Sequence, residues 1–241
     1  MSARSNGETG RPEFMTTLGL LPPYTLEDVK SAYRDKVWHA HPDRGGATTD
    51  FVKIQEAYEQ AVEYVAFCGD RRKWIAVQVE CHLRQREAAT EVERLGGQVE
   101  FEELDWLKRS VGDFASLADR LCVIRLRNST ADDAFLTFLA EPPLRTPYLT
   151  ELDLAGSRVT DKGLQALAGL GLLRRLDLSG TKVTTQGVRA ALEALPALEE
   201  VGLEGTGVGW LSRWRLRASL RGRKTENERL KLLGKRLELT R

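Results

Sequence analysis

A stretch of sixteen residues that returns 24 positions later with half its residues identical and its leucine and glycine spacing kept constrains this chain more than any other feature. Leu149-Thr-Glu-Leu152-Asp-Leu154-Ala-Gly156-Ser-Arg-Val159-Thr-Asp-Lys-Gly163-Leu164 recurs as Leu173-Arg-Arg-Leu176-Asp-Leu178-Ser-Gly180-Thr-Lys-Val183-Thr-Thr-Gln-Gly187-Val188. A third start follows 25 residues on, Leu198-Glu-Glu-Val201-Gly-Leu203-Glu-Gly205-Thr-Gly-Val208, and an irregular earlier one is Leu121-Cys-Val-Ile124-Arg-Leu126-Arg-Asn128. A fixed period of this length means one supersecondary unit per copy. No copy can bury its apolar side alone, so the copies must stack.

Within each copy the spacing Leu-x-x-Leu-x-Leu turns the apolar side chains inward from a short strand and its approach. The glycine permits the turn, and the segment after Gly163 or Gly187 forms an outer helix. The pattern resembles a leucine-rich repeat of the subtype in which Val-Thr-Asp-x-Gly-Leu leads into a helix. On such strands the residues between the buried leucines face the concave surface: Arg125, Arg127, Glu151, Asp153, Arg175, Asp177, Glu200 and Gly202. That mixed-charge surface is a candidate for recognising a protein, and equally reads as plain solvated strand. Asp153 and Asp177 are repeat-related, so repetition explains them before paired catalysis does.

The N-terminal part has a different grammar. Pro22-Pro23 closes a brief apolar element, and Thr25 with Asp28 forms a loose capping box for a helix. Val29, Tyr33 and Val37 recur at helical spacing on its inward face, while Lys30 and Arg34 lie four apart on another. Pro42 ends that helix, because proline lacks an amide donor and disfavours a helical residue before it. A second helix begins near Thr48 or Thr49 with the stripe Phe51, Ile54, Tyr58, Ala61 and Val65, and stops at Gly69. Two antiparallel helices bury these stripes on each other and on Leu18 and Leu20. Between them lies His41-Pro42-Asp43-Arg44-Gly45-Gly46, a rigid charged corner suited to pressing on another protein.

With Lys-Ser-Ala-Tyr33-Arg34 upstream of His41-Pro42-Asp43 and Gln55-Glu-Ala-Tyr58 downstream, residues 16 to 67 resemble the J-domain (DnaJ-type) family of Hsp70 co-chaperones. The resemblance implies that the corner His41, Pro42, Asp43 and Arg44, with Lys30 and Arg34, docks on an Hsp70 and stimulates its ATPase. The segment departs from the family at Asp35, Lys36 and His39, where a positive charge, an apolar residue and another positive charge are usual. It lacks the Gly/Phe-rich linker and zinc repeats of the larger co-chaperones.

The expected architecture is therefore multidomain: an all-α J-type helical hairpin followed by a short α/β leucine-rich-repeat solenoid with helical caps. Residues 1–15 read as a disordered leader and 16–70 as the J-type domain. A helical connector and N-terminal cap follow at 71–120, with a long helix from Arg71 to Arg94 and a strand at Val99–Phe101. The repeats occupy 121–209, and 210–241 form a basic C-terminal cap or tail.

The formal charge of +1 conceals an asymmetry. Residues 210–241 hold eleven Lys/Arg and three Asp/Glu, net +8, whereas the rest holds 25 and 32, net −7. The plain reading of that tail is a cap followed by a solvated helix. Its Trp210, Trp214 and basic residues also suit anionic lipid or nucleic acid.

Function classes narrow accordingly. The apolar runs are far shorter than the roughly 20 residues of a membrane-spanning helix. Three cysteines, Cys68, Cys81 and Cys122, without metal-site spacing suit a reducing cytoplasm. No phosphate-cradling Gly-Lys-Ser/Thr, Gly-x-Ser-x-Gly or His-Glu-x-x-His motif is present, so no catalytic residue, cofactor or metal is expected. The leading expectation is an Hsp70 co-chaperone whose repeats select a client or location. The alternative is a repeat-based scaffold whose J-like module has weakened.

Overall fold

The structure, a computed structural model, describes residues 11–40, 48–142 and 145–221. The chain divides into two compact units, with the change falling after Ala76.

The first unit is helical. Helix α1 spans Glu13–Leu18, α2 Leu26–Ala40 and α3 Thr48–Gly69. At the start of α2 the expected Thr25–Asp28 pair forms the cap bond, with the Asp28 amide donating to Thr25 Oγ1 at 3.2 Å. That hydroxyl, rather than the Thr25 amide, donates to the Asp28 carboxylate at 2.6 Å. Val29 and Tyr33 are fully buried, as are Ala57 and Ala61 facing them from α3, while Val37, Ile54, Tyr58 and Val65 are half-buried. Tyr33 stacks on Tyr58 with ring centroids 4.2 Å apart and donates to Gln55 Oε1 at 2.9 Å. Burial, with Tyr58 and Glu59 beside it, pushes its phenol far above the ordinary tyrosine range.

The leader expected over residues 1–15 runs too far. Phe14 and Met15 are core residues of α1, and the Phe14 ring meets Tyr64 edge-on at 5.6 Å. A six-residue helix is too short to display a period, which is why it reads as leader. Gly19 ends α1 in the left-handed conformation (φ 79°) that glycine adopts without strain, and its amide returns to the Thr16 carbonyl. Leu18 is buried, but Leu20 only half.

The long helix α4, Arg71–Arg94, occupies the expected span, and its C-terminal half buries Gln85, Ala88, Ala89 and Val92. Gly97 then lies where a Cβ would collide with the Arg125 carbonyl, Leu126 and Val92, so only glycine lets β1 (Gln98–Glu102) leave the helix there. Next come α5 (Asp105–Val111), a 3-10 segment (Gly112–Ala118) and β2 (Arg120–Arg125). The repeats supply α6 (Asp133–Ala140), β3 (Glu151–Asp153), α7 (Asp161–Ala166), β4 (Arg175–Asp177), α8 (Thr185–Ala194) and β5 (Glu200–Gly202). A helix over residues 210–221, here α9, follows. The sheet runs β1-β2-β3-β4-β5; β1 is antiparallel to β2, and all other pairs are parallel.

Repeat-equivalent leucines build the core. Ile124, Leu152, Leu176 and Val201 are in register across the strands, and the first two are wholly buried. Each of the four strands β2 to β5 exits through one left-handed residue: Asn128 (φ 52°), Gly156 (φ 72°), Gly180 (φ 69°) and Gly205 (φ 68°). Asn128 in this series identifies the irregular segment 121–128 as a repeat, since asparagine tolerates that conformation second only to glycine.

A second ladder joins the outer helices. Asp132, Thr160 and Thr184 cap α6, α7 and α8. The Asp133 carboxylate accepts from the Thr160 amide (2.7 Å) and hydroxyl (2.5 Å), and Asp161 does the same for Thr184 (2.8 and 2.6 Å). Gly163 and Gly187 make room for these carboxylates: a Cβ at either would overlap the aspartate of the preceding helix. The series stops where Thr185 stands in place of the aspartate and Gly209 in place of the threonine. There α9 closes the stack with buried Leu216 and Leu220.

Candidate functional site

The helical unit offers the exposed side of α2. With Val29 and Tyr33 turned inward, Lys30 and Arg34 share an outward face one turn apart. Lys30 keeps only a loose pairing with Glu27, at 3.9 Å, and its side chain stays 41% exposed. The face runs to Ala40, the last residue of α2. His41, Pro42, Asp43 and Arg44 lie outside the described residues, in the seven-residue link before α3.

Two of the departing residues have local structural roles. The aliphatic stem of Lys36 covers Gly19, its Cε 3.6 Å from where a Cβ would stand, so a lysine serves a position that calls for apolar atoms. His39 folds back on its own helix, with Nδ1 2.7 Å from the Asp35 carbonyl oxygen. A carbonyl only accepts, so Nδ1 is the donor. Trp38, beside them, stands half exposed.

The second surface is the strand face of the solenoid. Parallel register sets Glu151, Arg175 and Glu200 in one row and Arg125, Asp153, Asp177 and Gly202 in the next. Each arginine lies between acids. Arg175 reaches Glu151 and Glu200, both at 3.3 Å. Arg125 pairs with Glu100 of β1 and stands 3.7 Å from Glu151. Arg127 lies just past β2, bonded to Asp153 at 2.5 Å and 3.8 Å from Asp177. The Arg125 guanidinium holds the Glu100 carboxyl below the usual carboxylate range.

Not every expected face residue is presented to solvent. Asp153 is buried; one carboxylate oxygen takes Arg127, and the other accepts the Ala155 amide at 3.1 Å. Asp177 accepts the Ser179 amide at 2.9 Å in the same way. Both aspartates tie off the strand-to-turn corner, and Gly202 leaves the space that the Asp177 carboxylate occupies. Arg125, Arg127, Glu151, Arg175 and Glu200 form the accessible part. Glu100 belongs with them and went unread, because an antiparallel cap strand outside the repeat leaves no periodic signal. The Asp133–Thr160 and Asp161–Thr184 links were also missed, although the Val-Thr step repeated at Thr160 and Thr184 was part of their trace.

Comparison with known proteins agrees with these two regions. The DnaJ domain family matches residues 13–61, and a leucine-rich-repeat family matches 147–168 and 172–190. No curated protein matches the chain. Among solved structures, the actin-binding site 2 of leiomodin-1 is similar at 16% identity and a TM-score of 0.35, covering 48% of this chain and 87% of that one. DnaJ domains are non-catalytic co-chaperone modules. Sequence match, helix pairing and repeat register together give the chain an N-terminal DnaJ domain fused to a leucine-rich-repeat region.

Proposed function

We propose that this protein is an Hsp70 co-chaperone: its DnaJ domain docks on an Hsp70 and stimulates ATP hydrolysis, while the repeats select a client or a location. The observation that carries the reading is the outward face of α2, where Lys30 and Arg34 lead along one helix to the His41-Pro42-Asp43 segment. Two cations on a rigid helix speed encounter with an acidic partner, and the Asp43 carboxylate beside a proline-fixed corner offers a charge-assisted hydrogen bond. The strand face with Arg125, Arg127, Glu151, Arg175 and Glu200 is the surface assigned to the client. A cytoplasmic setting belongs to the same reading, supported by the free Cys68, Cys81 and Cys122.

Single-turnover ATP hydrolysis by Hsp70s of the source organism, with the protein and with His41→Gln, tests it. Stimulation that the substitution abolishes is expected. If the folded protein accelerates none of them, the co-chaperone reading is lost. The departures at Asp35, Lys36 and His39 then favour a scaffold built on the repeats.

A further inference from the structure

Helix α9 carries two apolar faces, and the solenoid uses only one. Leu216 and Leu220 are buried in the end of the repeat core. On the opposite side, at helical spacing, stand Trp210 (72% exposed), Trp214 (68%) and Leu211 (51%), with Ala218 one turn on. Exposing two indoles on adjacent turns is costly unless something covers them. Arginines border this strip on both flanks: Arg213 and Arg217 on one, Arg215 on the other. The twelve residues 210–221 contain four arginines and no acid, in a chain whose remainder before Trp210 is net −7.

We propose that α9 is an interfacial helix that seats this protein on an anionic phospholipid surface. The chemistry matches at each position. Indoles settle at the headgroup level, where an apolar body and a polar N–H are both satisfied. Leu211 between them adds apolar area. Guanidiniums on both flanks reach lipid phosphates and the carboxylates of serine headgroups without leaving the plane of the bilayer. Arg217 has only a 3.6 Å pairing with Glu204, more than half exposed on both sides, which a phosphate displaces at little cost. Beside the strip, Arg189, Arg215, Thr185, Ser212 and Ser219 line a groove between α8 and α9. Glu193 lines it too, so the preference for anions comes from the arginines of α9 itself. Among the described residues no helix is long and apolar enough to cross a membrane, and α9 has no need to do so. A lipid surface suits the strip better than nucleic acid, because Leu211 and Ala218 continue the indole face with aliphatic groups that offer bases nothing to stack on.

The test is flotation of the full chain with vesicles of phosphatidylcholine alone and of phosphatidylcholine with phosphatidylserine, roughly two parts to one, beside a Trp210→Ser/Trp214→Ser variant. Both tryptophans are exposed, so the variant folds. Circular dichroism and unchanged thermal unfolding verify this. Serine-containing vesicles should bind the protein, neutral vesicles should bind it at least about tenfold less, and the variant should lose about tenfold on the former. Absence of binding to either vesicle overturns the proposal. So does equal binding by the variant, which leaves only diffuse attraction of the basic tail. Trp-dependent binding to single-stranded RNA that outcompetes the vesicles reassigns the face to nucleic acid.

Discussion

The DnaJ domain and the solenoid bury similar aliphatic and aromatic groups but are specified in different ways. In the helical domain each core residue is individual: Phe14 meets Tyr64, Tyr33 stacks on Tyr58, and no other position repeats those contacts. In the solenoid Leu152 and Leu176 do the same work one strand apart, and Asp133 and Asp161 do the same work one helix apart. A unique core stands or falls as one packing solution. A stacked core stands by nearest neighbours, so damage to one repeat is felt by the two beside it. The two surfaces follow suit. Lys30 and Arg34 stand once, on the outward face of α2, whereas the strand face spreads its charges over every strand.

This difference can be broken or sharpened by experiment. Leu152→Ala has the largest expected effect, about 2–5 kcal/mol of destabilisation. Amide exchange should show protection lost in β2 and β4 as well as β3, with residues 14–67 unaffected. Loss confined to β3 would break the nearest-neighbour picture. Gly187→Ala comes next, with about 1–3 kcal/mol expected from overlap with the Asp161 carboxylate. Gly171→Ala, where an added Cβ meets nothing, should be neutral when the two variants are compared by chemical denaturation. Equal effects at the two glycines would remove the Asp–Thr ladder from the account.

A smaller effect contrasts the cysteines. Burial, then Glu102, pushes the Cys122 thiol from its ordinary value near 9 to about 11, while Cys68 on α3 is exposed. Iodoacetamide at mildly alkaline pH should therefore label Cys68 well before Cys122, as peptide mapping would reveal. A thiol held protonated in the fold beyond its unfolded pKa makes stability fall as pH rises from about 9 to about 11, and level off above that. The Cys122→Ser chain should show a smaller fall, with half-buried Cys81 and buried Tyr33 still contributing theirs.

Repetition is also what made the solenoid readable. Leucine spacing announced the strands, and the glycine of each copy announced its turn. Asn128 does the work of Gly156 under another name, so the first repeat looked irregular. Strand β1 lies outside the period and left its partnership with β2 unread, and with it the role of Glu100. The helical domain was legible where α2 and α3 are long enough to show a stripe and illegible in α1. At the strand face, charge pattern alone could not separate Asp153, tied to the Ala155 amide, from Glu151, which is accessible. Backbone amides are invisible in a list of side chains.

The Asp–Thr ladder has a consequence for how such a chain can change length. The repeat that holds Thr160 and Asp161 is linked to the copy before it and to the copy after it through the same two kinds of group. A duplicated or deleted 24-residue unit between Asp133 and Thr184 therefore leaves matching partners at both junctions. At the far end, Thr185 and Gly209 have lost that complementarity, and α9 occupies the next place. Repeat number is thus open to revision from within and closed at its terminus, so copying a unit lengthens the strand face while α9 keeps its place at the end of the stack.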